Sequence, residues 1–182
     1  MDENTFTENF NNQGWPSKTY LCYKLERLDG NAMIPLDEYK DFVRNKGRDQ
    51  PGEPCHAERC FLEQISSWNL DRNQRYRLTW FISWSPCYDC AQELTTFLEE
   101  NRHISLHIFA SRLYTLNNSG SHESGLRALQ ARARINIMTF EDFERCWVTF
   151  VDHQGKPFQP WEGLEVKSQE LSKELQAILR GQ

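Results

Sequence analysis

The chain has 182 residues, 38% hydrophobic and 13% aromatic, enough to close one hydrophobic core and too short for two ordinary ones. Its 21 basic and 26 acidic residues leave a net charge of -5, which argues against a nucleic-acid partner held by overall positive charge. No stretch stays apolar for the roughly 18 residues that a membrane span needs, and MDENTFTENFNNQG is acidic where a signal peptide would be basic and then apolar.

A single folded domain over residues 1–182 is therefore expected, intracellular and without a membrane partner. In such a chain the six cysteines read as buried thiols or metal ligands rather than disulfides. The charge is uneven: Lys40, Arg44, Lys46 and Arg48 stand against Asp41 and Asp49, and Arg112, Arg127, Arg132 and Arg134 stand against Glu123, while residues 139–182 are acidic. Local field, and not net charge, governs the steering of a charged ligand.

In chain order, KTYLCYKLERL alternates as a strand, and the turn signal at Asp29 to Asn31 leads to a short second strand around Met33 to Leu36. Most of DEYKDFVRNKGRDQPGEPC reads as a long connection. Ala57, Phe61, Leu62 and Ile65 recur at helical spacing, and RYRLTWFISW is aromatic and β-branched enough for a buried strand. Ser85-Pro86 is expected to open a helix running to about Asn101, followed by a strand at ISLHIFAS. GLRALQARA (helix), RINIMTF (strand), FEDFERCWVTFV (helix) and VKSQELSKELQAILR (helix) complete the chain. The alternation predicts an α/β fold of five strands and about six helices, with at least part of the sheet parallel.

The chemistry concentrates in His56, Glu58, Cys87 and Cys90, where His-Ala-Glu precedes Pro-Cys-Tyr-Asp-Cys by 27 residues. Imidazole and thiolates are zinc ligands, and both segments fall at predicted helix N-termini, where unpaired amides and the helix dipole favour thiolate over thiol. Three alternatives compete: a redox CxxC, a closed structural zinc site with Cys60 or Cys55 as fourth ligand, and a motif that holds no metal. The favoured reading is an open site, with zinc on His56, Cys87 and Cys90 and a water in the fourth position. Two thiolates cancel the formal charge of Zn²⁺, so Glu58 is needed as a proton shuttle beside that water.

At these residues, and at NFNN, TYLCY, ERLDG, TWFISWSPC, SRLY, IMTFEDFERCW and PFQPWEGL, the chain resembles the AID/APOBEC polynucleotide cytidine deaminases. Within them it looks like the antiviral third subgroup, in the zinc-domain class of member A and the catalytic half of member B. The resemblance implies a cytidine deaminase fold, a five-stranded mixed β-sheet flanked by about six helices. It implies Zn²⁺ on His56, Cys87 and Cys90, with Glu58 as general acid/base. The reaction implied is hydrolysis of cytosine to uracil in single-stranded DNA, with loss of ammonia.

The family's substrate-binding positions map onto Thr19, Asn45, Trp84, Ser85, Arg112 and Tyr114. The residues alone allow blander readings: Trp84 and Tyr114 as core, Asn45 as a turn residue, Thr19 as an ordinary strand residue, and Arg112 as a phosphate contact or a surface charge. Ser17 replaces a histidine common in the relatives, and Thr115 and Leu116 replace an acidic residue and a tyrosine that read the base 5′ to the target. The resemblance further implies restriction of retroviruses and retroelements, a cytoplasmic location extending to the nucleus, RNA as a second partner, and a monomer or weak homo-oligomer. The competing functions are a free-nucleoside cytidine deaminase and a zinc-stabilised RNA- or partner-binding domain without catalysis.

Overall fold

A computed structural model describes residues 1–115 and 120–181. Strand β1 (Tyr20–Asp29) pairs antiparallel with β4 (Arg75–Trp84) on one edge, and β4, β5 (Ile104–Arg112) and β6 (Ala133–Ile137) continue in parallel. On its other edge β1 carries two short antiparallel strands in tandem, β2 (Ala32–Pro35) along Glu26–Asp29 and β3 (Asp41–Arg44) along Tyr20–Tyr23. Among the described residues the sheet is thus mixed and has six strands. The main order is β2-β1-β4-β5-β6, with β3 the addition to the expected five.

Strand β3 and the single 3₁₀ turn Asp37–Tyr39 come from the segment expected to be mostly connection. DFVR has too short an alternation to declare itself. It becomes a strand because the ten-residue β1 leaves an edge that β2 covers over only half its length, and an uncovered edge is a row of unpaired backbone groups. Phe42 then packs beside Tyr20, ring centroids 6.1 Å apart.

The period of two in the strands sorts the core into two layers. Leu21, Tyr23, Leu25, Leu78, Trp80 and Ile82 face helices α2 (Ala57–Ser66), α3 (Tyr88–Glu100), α4 (Ser121–Leu129) and α6 (Leu164–Arg180) through residues such as Phe61, Leu94, Leu126 and Leu175. Tyr20, Cys22 and Phe81 face the other way, toward α1 (Glu3–Phe10) and α5 (Phe140–Phe150). Among the described residues no helix is long and apolar enough to cross a membrane.

Helix α1 is a further element that sequence patterning did not supply. Asp2 caps it by accepting from the Thr5 amide at 2.8 Å, but its apolar stripe is only Phe6 and Phe10. These rings stack on each other at 5.1 Å, and Phe6 meets Trp147 of α5 edge-on at 5.7 Å, so tertiary burial stabilises a helix too short to hold alone. Helix α4 starts and stops four residues earlier than GLRALQARA suggested. This brings Gly125 against the first turn of α3, where a Cβ would lie 3.2 Å from the Tyr88 Cα. Glycine lets α4 press close to the turn that carries the paired cysteines.

Candidate active site

Two helix N-termini converge beyond the C-terminal end of β4. His56 is the N-cap of α2, with Glu58 in the first turn, and Cys87 is the N-cap of α3, with Cys90 three residues on. Pro86 therefore stands just outside the helix and not in its first turn: the cap position takes extended backbone, φ -70° and ψ 172° at Cys87, which a preceding proline accommodates. The His56 Nδ1 lies 3.5 Å from Cys87 Sγ and 3.3 Å from Cys90 Sγ. A tetrahedral zinc ion, with Zn–S about 2.3 Å and Zn–N about 2.0–2.1 Å, holds sulfur and nitrogen ligands about 3.5 Å apart, so these atoms fit such an ion.

Electrostatics divide the group, favouring the thiolate at Cys87 and the protonated forms of Cys90 and His56. The Cys90 thiol, hydrogen-bonded to the Cys87 sulfur and aided by His56, holds Cys87 down at about 4, a thiolate. The same bond to Cys87, together with burial, raises Cys90, and the Cys87 partner raises His56. Glu58 is 4% exposed, and burial pushes its carboxyl up to about 7.

The remaining neighbours of this group correct one expectation. Cys55 and Cys60 are joined in a disulfide across the first turn of α2, where thiols were expected. Their sulfurs bond to each other, so neither is free to be a fourth ligand. Among the described residues, His56, Cys87 and Cys90 form the one His/Cys/Asp/Glu group whose ligand atoms all lie within 4.8 Å of one another. A Cys55→Ser/Cys60→Ser double variant is accordingly expected to keep one bound metal ion per chain, measured by elemental analysis after dialysis; loss of the ion would mean a closed site drawing on one of these sulfurs.

His56, Glu58 and Cys87 open onto a cavity of about 370 Å³, which Thr19, Asn45, Trp84, Ser85 and Tyr114 also line. That volume suits a small-molecule or nucleobase guest. The walls are sewn together by backbone. Thr19 donates its amide to Asn45 Oδ1 at 2.9 Å, and Asn45 returns its own amide to the Thr19 carbonyl. Ser85, 2% exposed, donates its amide to the Arg112 carbonyl at 2.9 Å and accepts the Tyr114 amide on Oγ at 2.8 Å, tying the end of β4 to the end of β5.

The family described as APOBEC3, cytosine deaminase domain, matches residues 1–179. The chain belongs to this family. It is 50% identical over 188 aligned positions to the DNA dC->dU-editing enzyme APOBEC-3G of Papio anubis, 49% over the same span to that of Erythrocebus patas, and 50% over 184 to that of Chlorocebus aethiops. These alignments cover 100%, 100% and 98% of the chain and 48% of each relative. The chain thus spans about half the length of the curated relatives it matches.

One substrate-binding candidate of this APOBEC3 domain lies elsewhere. Arg112 is 3% exposed and does not line the cavity. Its guanidinium donates to the carbonyls of Asn9 and Asn11 at the end of α1, both at 2.6 Å, and lies 4.3 Å from the centroid of the Trp84 ring. Burial lowers its pKa to about 9, and the negative end of the α1 dipole favours the charged form. Arg112, read from the sequence as either a phosphate contact or a surface charge, is in the fold a buried support that holds Trp84 from behind.

Conversely, sequence reading passed over Trp15 and Pro16. Trp15 is 70% exposed, sits 5.5 Å from Trp84 by ring centroids, and lines the cavity with Pro16, whose carbonyl accepts the Trp84 indole N–H at 3.1 Å. An exposed tryptophan beside a pocket was the available signal, but exposure cannot be read from QGWPSK. Ser17, the departure noted in that loop, also lines the cavity. Thr115 follows directly on the wall residue Tyr114, and Leu116 lies outside the described residues.

Proposed function

We propose that the chain is a zinc-dependent hydrolase that converts cytosine to uracil in single-stranded DNA. The observation that carries this reading is a buried carboxyl, Glu58, opening onto the same cavity as His56 and Cys87, in a chain half identical to DNA dC->dU-editing enzymes. His56, Cys87 and Cys90 would hold Zn²⁺, which when bound supplies a Lewis acid that activates water.

The chain's own residues do the rest. Glu58 takes one proton from the attacking water to the N3 of cytosine and then carries the second, from the hydroxyl now on C4, to the departing amine, so that cytosine and water become uracil and ammonia. Trp84 and Tyr114, set edge to face at 6.4 Å, wall the base. Each contributes roughly 1–3 kcal/mol if a base stacks on it. Asn45, its oxygen engaged by Thr19, keeps its amide N–H groups for the substrate. An unpaired base is required, because the target atom is out of reach inside a duplex.

The biological setting proposed with this chemistry is innate defence against retroviruses and retroelements, in the cytoplasm and nucleus, by a monomer or weak homo-oligomer that also meets RNA. A single-stranded oligonucleotide with one cytosine, treated with the protein, then uracil glycosylase and alkali, should be cleaved at that position. Ammonia release from free cytidine alone would replace this reading with a nucleoside deaminase; neither product, with zinc bound, would leave a binding domain.

A further inference from the structure

A concavity of about 690 Å³, larger than the one at His56, lies on the other face of the sheet, where α1 and α5 cover only the half nearer the C-terminal ends of β4 and β5. The uncovered half is written in the strands as polar residues at every second position: Arg75, Arg77 and Thr79 in β4, Ser105 and His107 in β5, Arg134 and Asn136 in β6. Register aligns Lys24, Thr79, His107 and Arg134 as one row crossing four strands. Three interstrand steps make that row about 14 Å wide. The next row sets Glu26 opposite Arg77 and Arg77 opposite Ser105.

The groove is basic in an acidic chain. Among the described residues Lys24, Arg77, Arg132, Arg134 and Arg145 line it against one acid, Glu26. Arg145 is paired with Asp142, and Arg132 donates to the Leu98 carbonyl. Among the described residues Lys24, Arg77 and Arg134 form no ion pair, not even Arg77 with the facing Glu26. Three uncompensated cations strung along a sheet form a linear anion track and not a convergent pocket for a compact anion. The aromatic lining is confined to Phe109, overlain by the Arg145 guanidinium at 5.1 Å, so bases have little to stack on. Contacts of this kind read phosphates without regard to sequence.

We propose that this groove binds the sugar-phosphate backbone of the single-stranded DNA whose cytosine occupies the deaminase cavity, as a second and sequence-independent contact. Arg77 stands seven residues before Trp84 on β4, about 23 Å along the strand, so the groove takes a part of the DNA far from the target base. The identity of the strand rests on the deaminase reading. The deciding readout is binding and not turnover, so the two fail separately.

The experiment compares the chain with a Lys24→Gln/Arg77→Gln/Arg134→Gln variant in binding fluorescent oligothymidine, one strand long enough to reach the groove and one of a few nucleotides. For the long strand, the slope of log K against log salt should fall by about 2 for three lost phosphate contacts. Turnover of a short cytosine oligonucleotide should be unchanged. A charge-conserving Arg77→Lys/Arg134→Lys variant should keep the full slope, separating charge from damage to the fold. Equal slopes for the chain and the neutralised variant would overturn the proposal. So would tripolyphosphate that displaces the long strand from the chain at equal phosphate concentration, which would assign the groove to a compact anion.

Discussion

Replacing Glu58 with glutamine is expected to leave one zinc ion bound per chain and to lower turnover of a cytosine-containing oligonucleotide by about 10²–10⁴-fold, the usual contribution of a positioned general acid/base. Glutamine keeps the volume and the hydrogen-bonding reach of glutamate at a site that is 4% exposed, so packing should survive the change. What disappears is the capacity to take up and release a proton beside His56. Metal content by elemental analysis and single-turnover rates on the oligonucleotide, measured on one preparation, decide the matter. Zinc lost together with activity would make Glu58 a ligand or a structural group, and turnover within a few-fold of the parent would remove it from the chemistry.

Truncating Trp84 to alanine should produce the second large effect, a loss of about 3–5 kcal/mol in stability together with loss of DNA binding. This ring is 7% exposed, packed between Arg112, Trp15 and Tyr114, and its N–H holds the loop at Pro16. Trp84→Phe separates the two roles. It keeps a ring for the base and for Arg112 but forfeits the bond to the Pro16 carbonyl, a loss of about 0.5–1.5 kcal/mol. Denaturant unfolding and oligonucleotide affinity on both variants are the measurements. An alanine variant as stable as the parent would show that Trp84 is not the packed support of the cavity wall.

How far the site could be read in advance depends on the reach of each signal. His56, Glu58, Cys87 and Cys90 were legible because their geometry is local: a residue at a helix cap and another two or three positions on project to the same end of the helix, whatever the rest of the chain does. Trp84, Ser85 and Tyr114 needed the family resemblance, since nothing in their spacing says that β4 and β5 end side by side. Trp15 escaped both routes. Arg112 lies behind the cavity wall and bonds to Asn9 and Asn11, about a hundred residues earlier in the chain, a contact that no local pattern announces.

The disulfide and the edge strand follow the same rule. Cys55 and Cys60 were weighed as metal ligands, and only the entry of the chain into α2, with Cys55 bridged to Lys46, turns them toward each other. Strand β3 exists because β1 leaves half an edge to cover.

Periodicity and capping chemistry are properties of neighbours in sequence. By itself the sequence determined that this is an α/β domain whose two helix starts carry a histidine, a carboxylate and two cysteines. Tertiary structure alone decided which distant segments wall the cavity, that Arg112 is buried behind it, and that one half of a sheet face stays open and basic. Those outcomes turn on which surfaces α1 and α5 cover, and burial is settled by the whole fold together.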